Sequence, residues 1–176
     1  GGNAVIVTDV GQHQMVACRY AKYNLSKSSV TSGGLGTMGF GLPAAIGAWY
    51  GAPDRDVIAI IGDGGIQMTI QELGTIMQFG AKVKILILNN EFLGMVRQWQ
   101  QLFYDKRYSF VNITSPDFVA VAKGYYIDGN KVTERQHLKS ALKTMLEHDG
   151  SYLLEVMVGK ENNVFPMVAQ GTSVSE

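Results

Sequence analysis

Two polar side chains, Asp63 and Asn90, each follow an apolar run of the sequence. Asp63 stands between two glycines directly after residues 57–61, and Asn90 is the second of two asparagines after residues 83–88. If these runs are neighbouring parallel strands joined by a helix, both loops leave the same carboxyl edge of a sheet. A carboxylate and an amide oxygen suit Mg²⁺, and flanking glycines let a phosphate approach the backbone. The spacing therefore predicts a Mg²⁺–diphosphate site.

Ordinary turn chemistry is the alternative interpretation of both segments, because Gly, Asp and Asn dominate turns. Either segment alone favours that interpretation. Two such turns, each directly after a buried strand and separated by a helix, favour a functional site. The hypothesis depends on the elements that would bring the two loops together.

Apolar strands and helices alternate along the whole chain. This order predicts a single domain, residues 1–176, with an α/β fold in which a parallel sheet has helices on both faces. The predicted strands are residues 4–8, 28–32, 57–61, 83–88, 125–127 and 152–158. The predicted helices are residues 12–22 and 42–51, then one from GDGG to Gly80, one from Met95, one from Ser115 to about Lys123, and one from Thr133 to Gly150. The polar tail from Gly159 is expected to be loosely ordered.

Side-chain patterns add expectations about helix faces and helix starts. The side chains expected to point inward are Met15, Val16 and Cys18, then Val96, Trp99 and Phe103, then Leu138, Ala141, Leu142, Met145 and Leu146. Ser115 is expected to cap a helix that has Pro116 at its first position. Thr133 and Gln136 have the spacing of a capping box.

A glycine pattern at Gly34, Gly36 and Gly39 formally spells GxGxxG between a strand and a helix. A dinucleotide site would need an acid at the end of the next strand, about 20 residues further on. Asp54 and Asp56 stand before that strand rather than after it. The glycines are better explained by close approach of the backbone to a diphosphate and by tight helix packing.

Composition excludes several classes of function. Lys and Arg together number 15, as do Asp and Glu, so no basic excess predicts binding to nucleic acid. The single cysteine, Cys18, fits a reducing compartment. No apolar run approaches the ~20 residues of a membrane helix, and no signal peptide is evident. The expected location is the bacterial cytoplasm. The chain begins at Gly1 without Met, as an excised domain would.

The spacing of GDG, 24 residues and NN resembles the binding signature of thiamine diphosphate enzymes. The sequence also resembles the catalytic subunit of the acetohydroxyacid synthase (acetolactate synthase) family. This wider similarity extends, in register, along nearly the whole chain. The segments that carry it are GQHQM, TSGGLGTMGFGLPAAIGA, GDGGIQMTIQELGTI, KILILNNEFLGMVRQWQQLFY and RYS. The resemblance covers only the last of that enzyme's three domains, the one that binds the cofactor's diphosphate.

The resemblance assigns a role to individual residues. Asp63, Asn90 and the backbone carbonyl of Phe92 match the ligands of Mg²⁺. Met38 matches the apolar residue that props the thiazolium ring, and Trp99 matches the tryptophan that faces the second substrate in the biosynthetic enzyme. The residues that match the cofactor-binding segments are Gln12, His13, Gly36, Thr37, Met38, Gly62, Asp63, Gly64, Gly65, Asn90, Gly94, Met95 and Val96.

The implied reaction decarboxylates pyruvate and condenses the two-carbon unit with a second 2-oxo acid. The products, 2-acetolactate or 2-aceto-2-hydroxybutyrate, are precursors of branched-chain amino acids. No catalytic side chain is expected within this chain, because the family's activating glutamate lies on another domain. The FAD site of the full-length enzyme also lies outside it, so the chain alone is expected to be inactive. The full enzyme is expected to be a homodimer or larger homo-oligomer with a small regulatory subunit.

Two alternatives stay open at this point. The domain could come from another thiamine diphosphate enzyme, such as a pyruvate oxidase or a glyoxylate carboligase, although GQHQM together with QWQQLFY argues against that. The chain could also be a nucleotide-binding or structural domain that uses the GxGxxG segment. Binding of NAD without metal would support this second alternative.

Overall fold

A six-stranded sheet runs through the part of the chain that the structure describes, residues 2–168 and 171–173 of a computed structural model. Its strands are β1 Val5–Thr8, β2 Ser29–Thr31, β3 Val57–Gly62, β4 Val83–Asn89, β5 Asp128–Val132 and β6 Tyr152–Met157. The helices are α1 Gln12–Tyr20, α2 Gly41–Gly51, α3 Asp63–Met68, α4 Glu72–Phe79, α5 Gly94–Phe103, α6 Phe118–Gly124 and α7 Arg135–Glu147. All neighbouring strands pair in parallel, which confirms the predicted α/β sheet.

Strand order decides where the loops emerge. The order is β2-β1-β3-β4-β6-β5, so β2 and β3 lie on opposite sides of β1. At such a reversal the loops after β1 and β3 diverge and leave a crevice at the carboxyl edge of the sheet. β3 and β4 are direct neighbours, with Gly62 paired to Leu88. The loops that carry Asp63 and Asn90 therefore emerge side by side, as the sequence predicts.

Packing covers both faces of the sheet. In β4, Ile85 and Ile87 lie in a buried cluster with residues of β1, β3, α2, α4 and α6. The alternate residues Leu86 and Leu88 pack against a second cluster formed by α7 and β6. Successive strand residues point to opposite faces, so the run from Ile85 to Leu88 is apolar at every position. This two-sided burial fixes the central strands whose ends carry the candidate site.

The segment after the glycines forms two helices rather than the predicted single one. α3 ends at Met68, and α4 begins at Glu72. The Thr69 hydroxyl donates a hydrogen bond to the Gly39 carbonyl at 3.0 Å, which ties the break to the loop before α2. Gly80 ends α4 with a left-handed φ of 64°, as the sequence predicts.

Two helix faces differ from the predictions. In α1 the buried residue is Ala17, whereas Val16 and Cys18 are exposed. In α5 the buried residues are Arg97 and Gln98, whereas Val96 and Phe103 are exposed. The reason in α5 is the chain segment from Gly159, which packs across that face through hydrogen bonds to Arg97 and Gln98. The described part of this segment is therefore anchored, and the prediction of a loosely ordered tail is wrong there.

Helix starts also differ, because the expected capping residues have other partners. α6 is capped by Asp117, which accepts a bond from Ala120 N at 2.9 Å. Ser115 instead donates its hydroxyl to Asp63. At α7 the flanking residue is Glu134, which accepts a bond from the Gln136 side chain, so the predicted capping box does not form.

β5 and the buried face of α7 also differ from the predictions. The strand predicted at residues 125–127 lies instead at β5, because the N–H groups of Tyr125 and Ile127 bond to the Ala122 carbonyl at the end of α6. In α7 the residues Ala141 and Met145 are buried, whereas Leu146 is exposed.

Candidate functional site

A cavity of about 380 Å³ opens at the carboxyl edge of β1, β3 and β4. The segment from Val158 to Phe165 forms one of its walls. The predicted site residues that line it are Gln12, His13, Met38, Gly62, Asp63, Gly64, Gly65, Asn90, Phe92, Gly94, Met95 and Val96. Gly36, Thr37 and Trp99 are not among its lining residues. The structure therefore gathers most of the predicted residues around one space.

The carboxylate of Asp63 is buried at the start of α3. Ser115 Oγ donates to its Oδ2 at 3.2 Å. Burial raises the pKa of the Asp63 carboxyl, and the Ser115 hydroxyl together with the nearby backbone of Asn90 and Glu91 only partly opposes that effect. A buried carboxylate with few donors gains stability from a nearby cation. The side chain thus has the environment of a cation ligand, beside the loop after β4.

The loop after β4 is held in a fixed shape. Asn90 Oδ1 accepts a bond from Phe92 N at 3.1 Å, so the side-chain oxygen lies close to the backbone of Phe92. Leu93 N donates to the Val111 carbonyl at 2.8 Å, and Ile113 N donates to the Glu91 carbonyl at 3.0 Å. These bonds pin the loop to a neighbouring extended segment, which prepares its oxygens for a ligand without further ordering.

Glycines occupy crowded positions of the site. A Cβ on Gly94 would lie 2.3 Å from Gln12 Oε1 and 2.9 Å from Asn90 Nδ2. A Cβ on Gly62 would lie 3.0 Å from the His13 ring. Any side chain at these positions would displace groups that line the cavity.

His13 lies in the cavity wall with an unusual ring environment. Burial lowers the pKa of its imidazole to about 4, and the nearby Asp9 only partly opposes this. The ring is therefore neutral near pH 7. Its Nε2 is buried and has no hydrogen-bond partner among the described residues. A buried polar atom without a partner is costly, so this nitrogen is suited to bond a ligand in the cavity.

Asp9, at the end of β1, is a structural determinant of the site that the sequence analysis did not identify. Its fully buried carboxylate accepts bonds from Val10 N and Gly39 N on Oδ1, at 2.7 and 3.1 Å, and from Gly41 N on Oδ2 at 2.8 Å. It thereby holds the loop that places Met38 at the cavity. The position of an acid directly after a buried strand, as at Asp63, was the available signal. Because Asp9 occupies two backbone N–H groups of the GxGxxG region, they are not free for a dinucleotide phosphate.

Gln98 links three parts of the cavity wall. Its Oε1 accepts from Gln12 Nε2 at 2.9 Å and from Val164 N at 2.9 Å, while its Nε2 donates to the Val164 carbonyl at 3.0 Å. Gln12 Nε2 also donates to the Asn162 carbonyl at 3.1 Å. These bonds close the cavity with the chain segment that follows β6.

Trp99, the residue after Gln98 in α5, packs against Phe103, with ring centroids 4.9 Å apart. It is partly buried rather than part of the cavity lining. Gly36 and Thr37 are exposed, and Thr37 N bonds to Ser32 Oγ at 3.0 Å. These three residues could contact a ligand only where it extends beyond the cavity.

The donor set fits a hard cation with a phosphate ligand. Among the described residues, no group of three His, Cys, Asp or Glu side chains is placed to hold a metal ion. The site instead offers one carboxylate, one amide oxygen and backbone oxygens, which suits Mg²⁺ that keeps phosphate and water ligands. The glycine-lined space beside them leaves room for the phosphates.

Comparison with known proteins identifies the family. Residues 9–156 match the family described as "Thiamine pyrophosphate enzyme, C-terminal TPP binding domain". The chain belongs to this family. The matched residues of this thiamine pyrophosphate-binding domain include β3, β4 and the loops that carry Asp63 and Asn90. None of the described helices is both long and apolar enough to cross a membrane.

Named relatives narrow the similarity within the family. The chain is 47% identical to the acetolactate synthase isozyme 2 large subunit of Escherichia coli, over 99% of this chain and 32% of the relative. It is also 47% identical to the mitochondrial acetolactate synthase catalytic subunit of Saccharomyces cerevisiae, over 100% of this chain and 26% of the relative. The predicted resemblance is confirmed, and it favours acetolactate synthases over the alternative thiamine diphosphate enzymes. The thiamine pyrophosphate-binding domain spans less than a third of these relatives.

A solved structure shows the same fold. It is the thiamine diphosphate-dependent 4-hydroxybenzoylformate decarboxylase of Rhodococcus jostii, with a TM-score of 0.83 and 30% sequence identity. The similarity covers 92% of this chain and 30% of that protein.

Proposed function

We propose that this chain is the cofactor-binding domain of an acetohydroxyacid synthase and that it binds thiamine diphosphate with Mg²⁺. The observation that carries the proposal is the pair Asp63 and Asn90, side by side at a glycine-lined cavity in a chain 47% identical to acetolactate synthases. The proposal includes the domain assignment: residues 1–176 form the C-terminal domain of a three-domain enzyme.

The residues divide into three roles. Asp63, Asn90 and the Phe92 carbonyl would hold the metal, and the metal would bind the diphosphate. Gln12, neutral His13 and the backbone at the glycines would contact the diphosphate, because they line the same space. The other proposed cofactor contacts are Gly36, Thr37, Met38, Gly62, Gly64, Gly65, Gly94, Met95 and Val96.

When bound, thiamine diphosphate supplies the nucleophilic carbon and the electron sink needed to decarboxylate a 2-oxo acid. The chain's own contribution is placement and exclusion of water. Met38 presents an apolar side chain to the cavity, and the segment from Val158 to Phe165 covers one side of it. Both features lower the local dielectric, which strengthens electrostatic interactions inside the site.

The activity of the whole enzyme is part of the proposal. Pyruvate would be decarboxylated and its two-carbon unit joined to a second 2-oxo acid, with a glutamate from another domain activating the cofactor. FAD, a homo-oligomeric assembly and a small regulatory subunit are further proposed features of the full-length protein. The curated relatives include bacterial and mitochondrial proteins, so a bacterial cytoplasmic location stays a prediction.

Product analysis of the full-length protein tests this function. Wild type supplied with pyruvate and 2-oxobutyrate, in the presence of thiamine diphosphate and Mg²⁺, should form both acetohydroxy acids. Trp99→Leu should change the ratio of the two products, whereas Phe103→Leu, beside it, should change that ratio less. Absence of both products from wild type would overturn the proposed function. An unchanged ratio in Trp99→Leu would overturn only the role of that residue.

A further inference from the structure

Two buried polar side chains, linked by a hydrogen bond, lie directly beneath the proposed metal-binding loop. Glu155, on β6, and Asn89, at the end of β4, are exposed by only 0% and 2%. Asn89 Nδ2 donates to Glu155 Oε1 at 2.8 Å. Asn89 Oδ1 in turn accepts a bond from Glu91 N at 3.0 Å. A single amide side chain therefore connects the central sheet to the loop that carries Asn90 and Phe92.

The orientation of the Asn89 amide is fixed by this arrangement. Glu155 can only accept at Oε1 when ionised, and the backbone N–H of Glu91 can only donate. Rotating the amide by half a turn would place an oxygen against the carboxylate and an N–H against an N–H. Glu155 therefore selects the orientation in which Asn89 Oδ1 faces the loop.

The loop needs such support at Glu91. This residue has a φ of 57°, in the left-handed region that residues other than glycine seldom adopt. Conformations of this kind persist where surrounding interactions hold them in place. The bond from Glu91 N to Asn89 supplies that interaction at the bend. The bend separates the two proposed ligand positions, Asn90 and Phe92, and so sets how they face one another.

We propose that Glu155 is a positioning residue for the metal site, acting through Asn89 on the loop at residues 90–92. The inference rests on the proposed function, because it concerns the affinity of that site for Mg²⁺. Glu155 does not touch the cation or the cofactor. It determines how well the two loop oxygens are arranged before the cation binds.

A competing explanation is that Glu155 serves only as a charge partner. Lys131 Nζ lies 2.9 Å from Glu155 Oε1, and the lysine side chain is 44% exposed. If this ion pair were the purpose of Glu155, removing the charge alone would have the same effect as removing the whole acceptor. If the bond to Asn89 matters, a neutral acceptor at the same position should suffice.

The test compares Glu155→Gln with Glu155→Leu in the full-length protein that carries this chain. Gln keeps an oxygen that accepts from Asn89, whereas Leu keeps only the approximate size. The measurement is a calorimetric titration of Mg²⁺ in the presence of thiamine diphosphate, with urea denaturation of the metal-free protein alongside. Removing a residue that hydrogen bonds to a metal ligand typically weakens metal affinity by about 10- to 100-fold. Glu155→Leu should show a loss of that size, and Glu155→Gln a loss of less than about threefold.

Two further variants keep the test decisive if Glu155→Leu does not fold. Asn89→Ala removes the same bond from the other end and should weaken Mg²⁺ binding by a similar factor. Lys131→Met removes the charge partner and leaves the bond to Asn89 intact, so its Mg²⁺ affinity should equal that of wild type.

The outcomes separate this inference from the proposed function. Equal losses in Glu155→Gln and Glu155→Leu, or wild-type affinity in a folded Asn89→Ala, would overturn the positioning role of Glu155 alone. Wild type that binds thiamine diphosphate without any dependence on Mg²⁺ would overturn the proposed metal site, and the inference with it. Lower unfolding free energy with unchanged Mg²⁺ affinity would show a purely structural role and would also overturn the inference.

Discussion

Acidification should destabilise this fold through His13. Burial lowers the pKa of the His13 imidazole from 6.5 to about 4. Below pH 6.5 the unfolded chain gains a proton at this residue, which the folded chain does not bind until about pH 4. The unfolded state holds more protons in this window, so the free energy of unfolding falls as the pH falls. From these two pKa values, the loss is about 2 kcal/mol between about pH 7 and pH 5.

Urea denaturation of the metal-free protein at a series of pH values measures this loss. His13→Gln should make the dependence on pH shallower by about 2 kcal/mol over the same interval. His137→Gln is the matched control, because it removes an exposed histidine from α7. The difference between the two variants isolates the contribution of the buried ring. A His13→Gln protein with the same slope as wild type would refute the claim that the folded state holds this imidazole neutral.

Three further substitutions, two of them with a control variant, test other contacts in the structure. In urea denaturation, Asp9→Asn should lower the free energy of unfolding by about 2 kcal/mol, because one buried backbone N–H loses a charged acceptor. Asp117→Asn is the control and should change the free energy of unfolding by less than about 0.5 kcal/mol, because Asn is also an effective helix cap. Gly94→Ala should weaken Mg²⁺-dependent binding of thiamine diphosphate by about tenfold or more in calorimetry, because the added Cβ would clash with Gln12 and Asn90 in the cavity. Gly47→Ala is the control and should leave binding unchanged, because no described atom lies within 4 Å of its Cβ. Lys84→Met should lower the melting temperature by roughly 4–8 °C, because two carbonyls after α7 lose their charged donor, at about 2 kcal/mol; a melting temperature equal to that of wild type would contradict this.

The central strands were predictable from the sequence because both faces of the sheet are covered. Residues 57–61 are apolar without interruption and residues 83–88 are apolar except for Lys84, and this pattern is typical of strands in a parallel sheet. Their order in the sheet also followed from the positions of the polar loops at their ends. β5 was harder to place, because its residues are mostly polar and the preceding backbone bonds to the end of α6.

The buried polar residues of α5 could not be predicted from periodicity. Arg97 and Gln98 are buried because the segment after β6 returns across the helix and supplies partners for them. Arg97 also lies over the rings of Phe92 and Tyr108, at 5.2 and 4.6 Å from their centroids. These partners are distant in sequence, and a pattern within one helix carries no information about them. Apolar periodicity accordingly selected the wrong face.

Some residues of the candidate site were also predictable from the sequence, whereas others were not. Asp63 and Asn90 were recognisable because an oxygen-bearing side chain directly follows each of two neighbouring strands. Asp9 follows a strand too, but its contribution depends on N–H groups about 30 residues further along the chain. Glu155 stands within an apolar strand, and its partners Asn89 and Lys131 are distant in sequence. Residues that position others become visible only when the fold brings their partners together.

The most direct test of the account is calorimetric titration of thiamine diphosphate into the full-length protein, with and without Mg²⁺. Asp63→Ala is titrated alongside wild type, because Asp63 supplies the one charged side-chain ligand of the proposed metal site. Binding should require Mg²⁺ and should be lost in Asp63→Ala. Binding that is independent of metal and survives Asp63→Ala would contradict the assignment of Asp63 and Asn90 as the centre of this site.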